Sequence, residues 1–116
     1  MVKGIFFPAG EQYDIEVRKY EKLIDYQGDV DGLIEASDIA RPDATIFSNE
    51  EGLLRRLDIN RRASLVLWLH NSRNRGHTAL RGDVVIIGRP DADGATQDVP
   101  DELIELLFNT GPTSTR

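Results

Sequence analysis

The chain has 116 residues, no cysteine, 40% hydrophobic residues and a net charge of −6, enough for one buried core without disulfide or metal staples. The lack of cysteine excludes a disulfide framework and a cysteine-based zinc site. No run approaches the roughly 18 consecutive apolar residues of a membrane helix, and the apolar opening Met1-Val-Lys-Gly-Ile-Phe-Phe7 is too short for a signal peptide. An intracellular protein with no membrane contact is expected, built as one α+β domain over residues 1–108 with a flexible tail over 109–116.

Val2–Phe7 reads as a strand ended by the turn signal Pro8-Ala-Gly10. Tyr13-Asp-Ile-Glu-Val-Arg18 alternates apolar and charged residues, so a second strand and an antiparallel hairpin are predicted. Tyr20, Leu23, Ile24 and Tyr26 share helical spacing, which predicts a short helix stopped at Gly28. Gly32–Ala36 and Ala44–Ser48 are strand candidates, with 37–43 as loop between them and Asn49-Glu-Glu-Gly52 as a turn in which glycine supplies positive φ.

Asn60 is a fitting N-cap for a helix over 61–70. The continuous run Leu65–Leu69 would then be buried on most sides, with Trp68 in the core, although a buried strand fits the same run. His70–His77 reads as an exposed polar loop. Val84-Val-Ile-Ile87 is β-branched throughout, as a buried central strand should be. A loop over 89–94 leads to a last helix over 98–108, capped by Asp98, with Pro100 in its first turn and Leu103, Leu106 and Leu107 facing the core. The fold class expected is a small, mainly antiparallel sheet packed against two or three helices.

Charge is segregated along this order. Residues 1–51 carry five basic and twelve acidic groups, residues 52–89 eight arginines against Asp58 and Asp83, and residues 90–116 one arginine against six acids. The guanidinium fork suits bidentate pairing with carboxylate or phosphate. The central arginines therefore either pair with the acidic flanks inside the fold or face an external anionic partner.

Candidate chemistry is thin. His70 and His77 are the two histidines; both border an Arg/Asn-rich loop, read as solvated, and lack the partners of a catalytic triad or a zinc site. Aligning Gly94 with the invariant glycine of a calcium loop puts Arg89 and Pro100 at ligand positions, so that motif fails. Glu50 and Glu51 are adjacent and should point apart as turn residues. Arg81-Gly-Asp83 matches an adhesion tripeptide but leads straight into a buried strand. Gly82 and Gly88 make no phosphate-binding glycine pattern. No catalytic residue, metal or cofactor is called for.

The start Gly4-Ile-Phe-Phe-Pro8, then Ser48-Asn-Glu-Glu-Gly52, Leu57-Asp-Ile-Asn60-Arg-Arg-Ala63 and Gly82-Asp-Val-Val-Ile-Ile-Gly88, in that order, resemble an uncharacterised domain family found in bacteriophages, plasmids and other mobile elements. The resemblance spans roughly residues 2–108; it implies a mobile-element origin and the host cytoplasm as site of action, and it supplies no catalytic residues. Together with the missing catalytic set and the charge segregation, it leads to the expectation of a non-enzymatic accessory protein that binds a host macromolecule, foremost a host protein. The alternative is nucleotide or nucleic-acid binding through the central arginines, and homodimerisation is open. The interaction surface expected comprises Asn49, Glu50, Glu51, Arg55, Arg56, Asn60, Arg61, Arg62, Arg73 and Arg75.

Overall fold

The computed structural model describes residues 2–71 and 79–108. Along the chain run β1 (Val2–Phe7), β2 (Glu16–Tyr20), α1 (Leu23–Val30), β3 (Ile34–Ile39), β4 (Ala44–Asn49), α2 (Arg61–His70), β5 (Val84–Gly88) and α3 (Asp101–Phe108). The five strands form one sheet in the order β2-β1-β5-β4-β3, antiparallel at every junction. This is the α+β arrangement expected from the pattern of elements.

The β-branched run makes β5 the central strand: Val84, Val85, Ile86 and Ile87 are each 0% exposed. Successive side chains of a strand point to opposite faces, and here both faces are covered. Val84 and Ile86 join Ile5, Phe7, Ile46, Val66, Leu67 and Leu103 in one core, so α2 and α3 lie on that side. Val85 and Ile87 join Phe6, Tyr20, Tyr26, Val30 and Phe47 in another, under α1. Full burial of one such aliphatic side chain contributes about 1.5–3 kcal/mol, which is why this strand needs neighbours on both sides.

Several boundaries differ from the sequence expectation. The second strand starts at Glu16 rather than Tyr13, because its register with β1 runs from Val2↔Tyr20 to Phe6↔Glu16. Ile15 still packs against the larger core, but Tyr13 is 62% exposed, and the buried residue of the strand is Tyr20. Tyr20 thus closes β2 instead of opening a helix. In α1 the buried pair is Tyr26 and Val30, while Leu23 and Ile24 face outward. Gly28 does not stop this helix; Asp31 does, at φ 62, since Asp tolerates the left-handed region better than most residues. At the other end of α1 the Asp25 carboxylate accepts from the backbone N–H groups of Glu21 and Lys22, which hold it below its usual range.

The strand expected over 32–36 is β3, which continues through the predicted loop to Ile39 because β4 offers partners throughout: Ser37↔Ile46, Asp38↔Thr45 and Ile39↔Ala44. Thr45 Oγ1 also donates to Asp38 Oδ1 at 2.8 Å. The capped run after Asn60 is helical as expected, but it is buried on one side: Ala63, Ser64, Val66 and Leu67 face inward, whereas Leu65 and Leu69 are exposed. Trp68 packs against the larger core. Asp98 does not cap α3. Its Oδ1 accepts from Lys3 N at 2.8 Å, tying the approach to α3 onto β1. Leu103 is fully buried but Leu106 is 44% exposed, and Ile104 takes its place beside Leu107. The tail expected over 109–116 lies outside the described residues.

Candidate functional site

The turn after β4 is fastened from several directions. Asn49, only 6% exposed, donates from Nδ2 to the carbonyls of Val30 (3.0 Å) and Asp31 (3.1 Å). Its Oδ1 accepts from Glu51 N at 2.8 Å. Along the turn, Gly52 N donates to Asn49 O, Arg55 N to Glu51 O, Arg56 N to Leu53 O and Leu57 N to Gly52 O. Arg55 reaches across to the Asp31 carbonyl (2.7 Å) and carboxylate (3.0 Å), and Arg81 Nη1 donates to Leu57 O at 3.1 Å. Gly52 is absent from the positive-φ positions, which Arg56 joins at φ 54. Space is tight at 52 instead: a Cβ there would lie 3.0 Å from Arg81 Cβ.

On this fixed frame Leu53 and Leu54 stand out into solvent, 72% and 84% exposed. Beside them opens a cleft of about 440 Å³, floored by Glu35, Ser37, Ser48 and Glu50 and walled by Gly52, Leu53, Ala79, Leu80 and Arg81. The sheet face that is apolar at Ile39, Ala44 and Ile46 becomes polar here, past the reach of α2. A smaller hollow of about 270 Å³ lies towards the opposite edge of the sheet, lined by residues such as Phe6, Tyr13, Asp14, Glu16 and Arg18. There Arg18 sits 3.8 Å over the Phe6 ring and donates from Nη1 to Asp29 Oδ1 at 3.0 Å. Tyr20 donates its hydroxyl to Asp29 Oδ2; burial first, and then that bond, push the phenol well above its usual range.

The sequence-derived surface residues are distributed rather than gathered. Glu50 and Glu51 are exposed at the turn. Asn60 is 0% exposed: its Oδ1 accepts from Ala63 N, and its Nδ2 donates to the carbonyls of Phe7 (2.8 Å) and Gly82 (2.9 Å). Arg61 pairs with Glu11 at 3.7 Å, and Arg62 donates to the carbonyls of Pro8 and Gly10. Arg55, Arg61 and Arg89 therefore pair at the surface with Asp31, Glu11 and Asp43 of the first acidic flank, so three of the eight central arginines have an acidic partner among the described residues. Arg73, Arg75 and His77 lie outside the described residues. His70 is not a loop residue; it ends α2, with Nε2 enclosed and without a hydrogen-bond partner among the described residues.

Among the described residues no three His, Cys, Asp or Glu side chains converge as metal ligands. None of the helices among the described residues is long and apolar enough to cross a membrane. The family model described as "Domain of unknown function (DUF3846)" matches residues 3–111. The chain belongs to that family. No curated protein and no solved structure matches it. In this DUF3846 chain the cleft residues Glu35, Ser37, Ser48, Leu80 and Arg81 were missed by sequence reasoning. Their signal is faint: a polar Ser-Asp pair in a strand whose partner strand ends in Ser-Asn becomes informative only once the register is known.

Proposed function

We propose that the chain is a non-enzymatic accessory protein of phage or mobile-element type, which works in the host cytoplasm by binding a host protein. The observation that carries this reading is the display of Leu53 and Leu54, 72% and 84% exposed, on a turn held by main-chain and side-chain bonds on both sides. Covering one leucine contributes roughly 1.5–3 kcal/mol, and a turn already fixed loses little conformational freedom on binding. The resemblance of its motifs to mobile-element domains supports the host setting. Nucleic acid is less well served, because Arg55, Arg61 and Arg89 are engaged with carboxylates and Arg62 and Arg81 with main-chain carbonyls.

The test is affinity capture from host lysate with the wild-type chain and with Leu53→Asp/Leu54→Asp, both checked for equal melting temperature. One dominant protein retained by the wild type and lost by the variant is expected. Background alone in both, or a partner retained equally by both, overturns the reading.

A further inference from the structure

The floor of the cleft has a chemistry of its own. Glu35 stands directly opposite Ser48 in the β3–β4 register, and the bond from Glu50 N to Leu33 O at 2.9 Å extends that pairing one step beyond β4. Residues 35, 48 and 50 thus share one face of the sheet, where directly opposed side chains stand about 5 Å apart at Cβ. Neither the Glu35 nor the Glu50 carboxylate has an ion-pair or hydrogen-bond partner among the described residues. Ser48 is only 6% exposed, yet its hydroxyl is without a partner among the described residues and is not sealed in; it lines the cleft. A polar group this deep is ordinarily satisfied, and here the cleft is the side from which a donor or acceptor can reach it.

We propose that the cleft receives a lysine or arginine side chain of the partner, its cationic head held between Glu35, Glu50 and the Ser48 hydroxyl. The inference rests on the protein-binding reading above and names what that partner presents. Charge-assisted hydrogen bonds to two carboxylates suit an ammonium or guanidinium group, and an anion entering by the same route meets both acids. Leu53 and Leu80 on the walls match the methylene stem of such a side chain, which packs along apolar surface while its head stays polar. Arg81 stands on the wall with Nη1 spent on the Leu57 carbonyl; its other N–H groups fit the guest's backbone carbonyl, and its charge disfavours a second basic residue beside the first. The motif selected is one basic residue with an apolar neighbour that reaches Leu54.

The test uses a capped Ala-Lys-Leu-Ala tetrapeptide titrated into the 15N-labelled chain, with the same peptide carrying norleucine for lysine, and putrescine as a free amine. Saturating shifts of the amides of residues 48–53 and 79–81 are expected with the lysine peptide, roughly tenfold weaker with norleucine or with Glu35→Gln/Glu50→Gln. No shift at about 10 mM peptide, or equal shifts with norleucine, overturns the proposal. Putrescine binding as tightly as the peptide overturns the peptide source. In lysate capture, Glu35→Gln/Glu50→Gln should weaken retention of the dominant partner. Undiminished retention overturns the cleft while leaving the Leu53–Leu54 reading intact, and loss of capture in Leu53→Asp/Leu54→Asp alone separates the two.

Discussion

Two buried asparagines join segments that are distant in the chain. Asn49 ties the end of β4 to the end of α1, and Asn60 ties the start of α2 to β1 and to the approach to β5. Each uses a carbonyl to fix its own turn and an amide to satisfy two foreign carbonyls, a combination that no other side chain of that size but one carrying both groups provides. Removing the amide at Asn60 leaves the Phe7 and Gly82 carbonyls unpaired in the interior and also removes a helix cap. Asn60→Ala should cost about 3 kcal/mol, read from urea denaturation. Asn60→Asp keeps the acceptor for Ala63 N but faces two carbonyls with a carboxylate, and should be at least as damaging; a loss confined to a few tenths would show that the two long-range bonds contribute little. The cap was legible in the sequence because capping is local. The long-range bonds were not, since nothing near Asn60 in sequence points to Phe7.

At the scale of elements, α1 shows what periodicity alone can decide. Leu23, Ile24 and Tyr26 suggested one apolar face, but the helix turns Tyr26 and Val30 inward because the Tyr20 ring already stacks on Tyr26, with centroids 4.7 Å apart, and Phe47 meets Tyr26 edge-on. Aromatic contacts from other strands set the rotation. Gly28, a helix stop by its residue type, sits mid-helix with nothing within 4 Å of an added Cβ. Gly28→Ala should therefore stabilise the protein by about 0.5–1 kcal/mol, seen as a higher melting temperature; a lower one would mean that this position needs a bare backbone. The strong signals, the β-branched run of β5 and the capped α2, were legible because each element carries its own evidence. The extension of β3 through Ser37-Asp-Ile39 and the cleft above it were not, because polar residues are tolerated there only by virtue of an edge position and a partner strand.

For the whole molecule, the alternation of acidic, basic and acidic blocks resolves in part into surface pairing between the first two blocks. Arg55, Arg61 and Arg89 each reach back to an acid of the first block, leaving a surface governed by the net charge of −6. Such a field repels phosphate, and backbone contacts dominate nucleic-acid affinity. Gel shift at low salt should show no complex with duplex or single strand. A complex that weakens steeply with salt and with Arg61→Ala/Arg62→Ala would move the functional reading to nucleic acid.

The position of β5 in the sheet also governs when the sheet can exist. The ribbons β1–β2 and β3–β4 do not pair with each other; within the sheet each is joined to the rest through Val84–Gly88. Both cores draw on that same strand. On the ribosome, the earlier ribbons must wait without their shared neighbour until Gly88 has left the exit tunnel. A nascent chain halted before Val84 holds two ribbons and no strand to run between them.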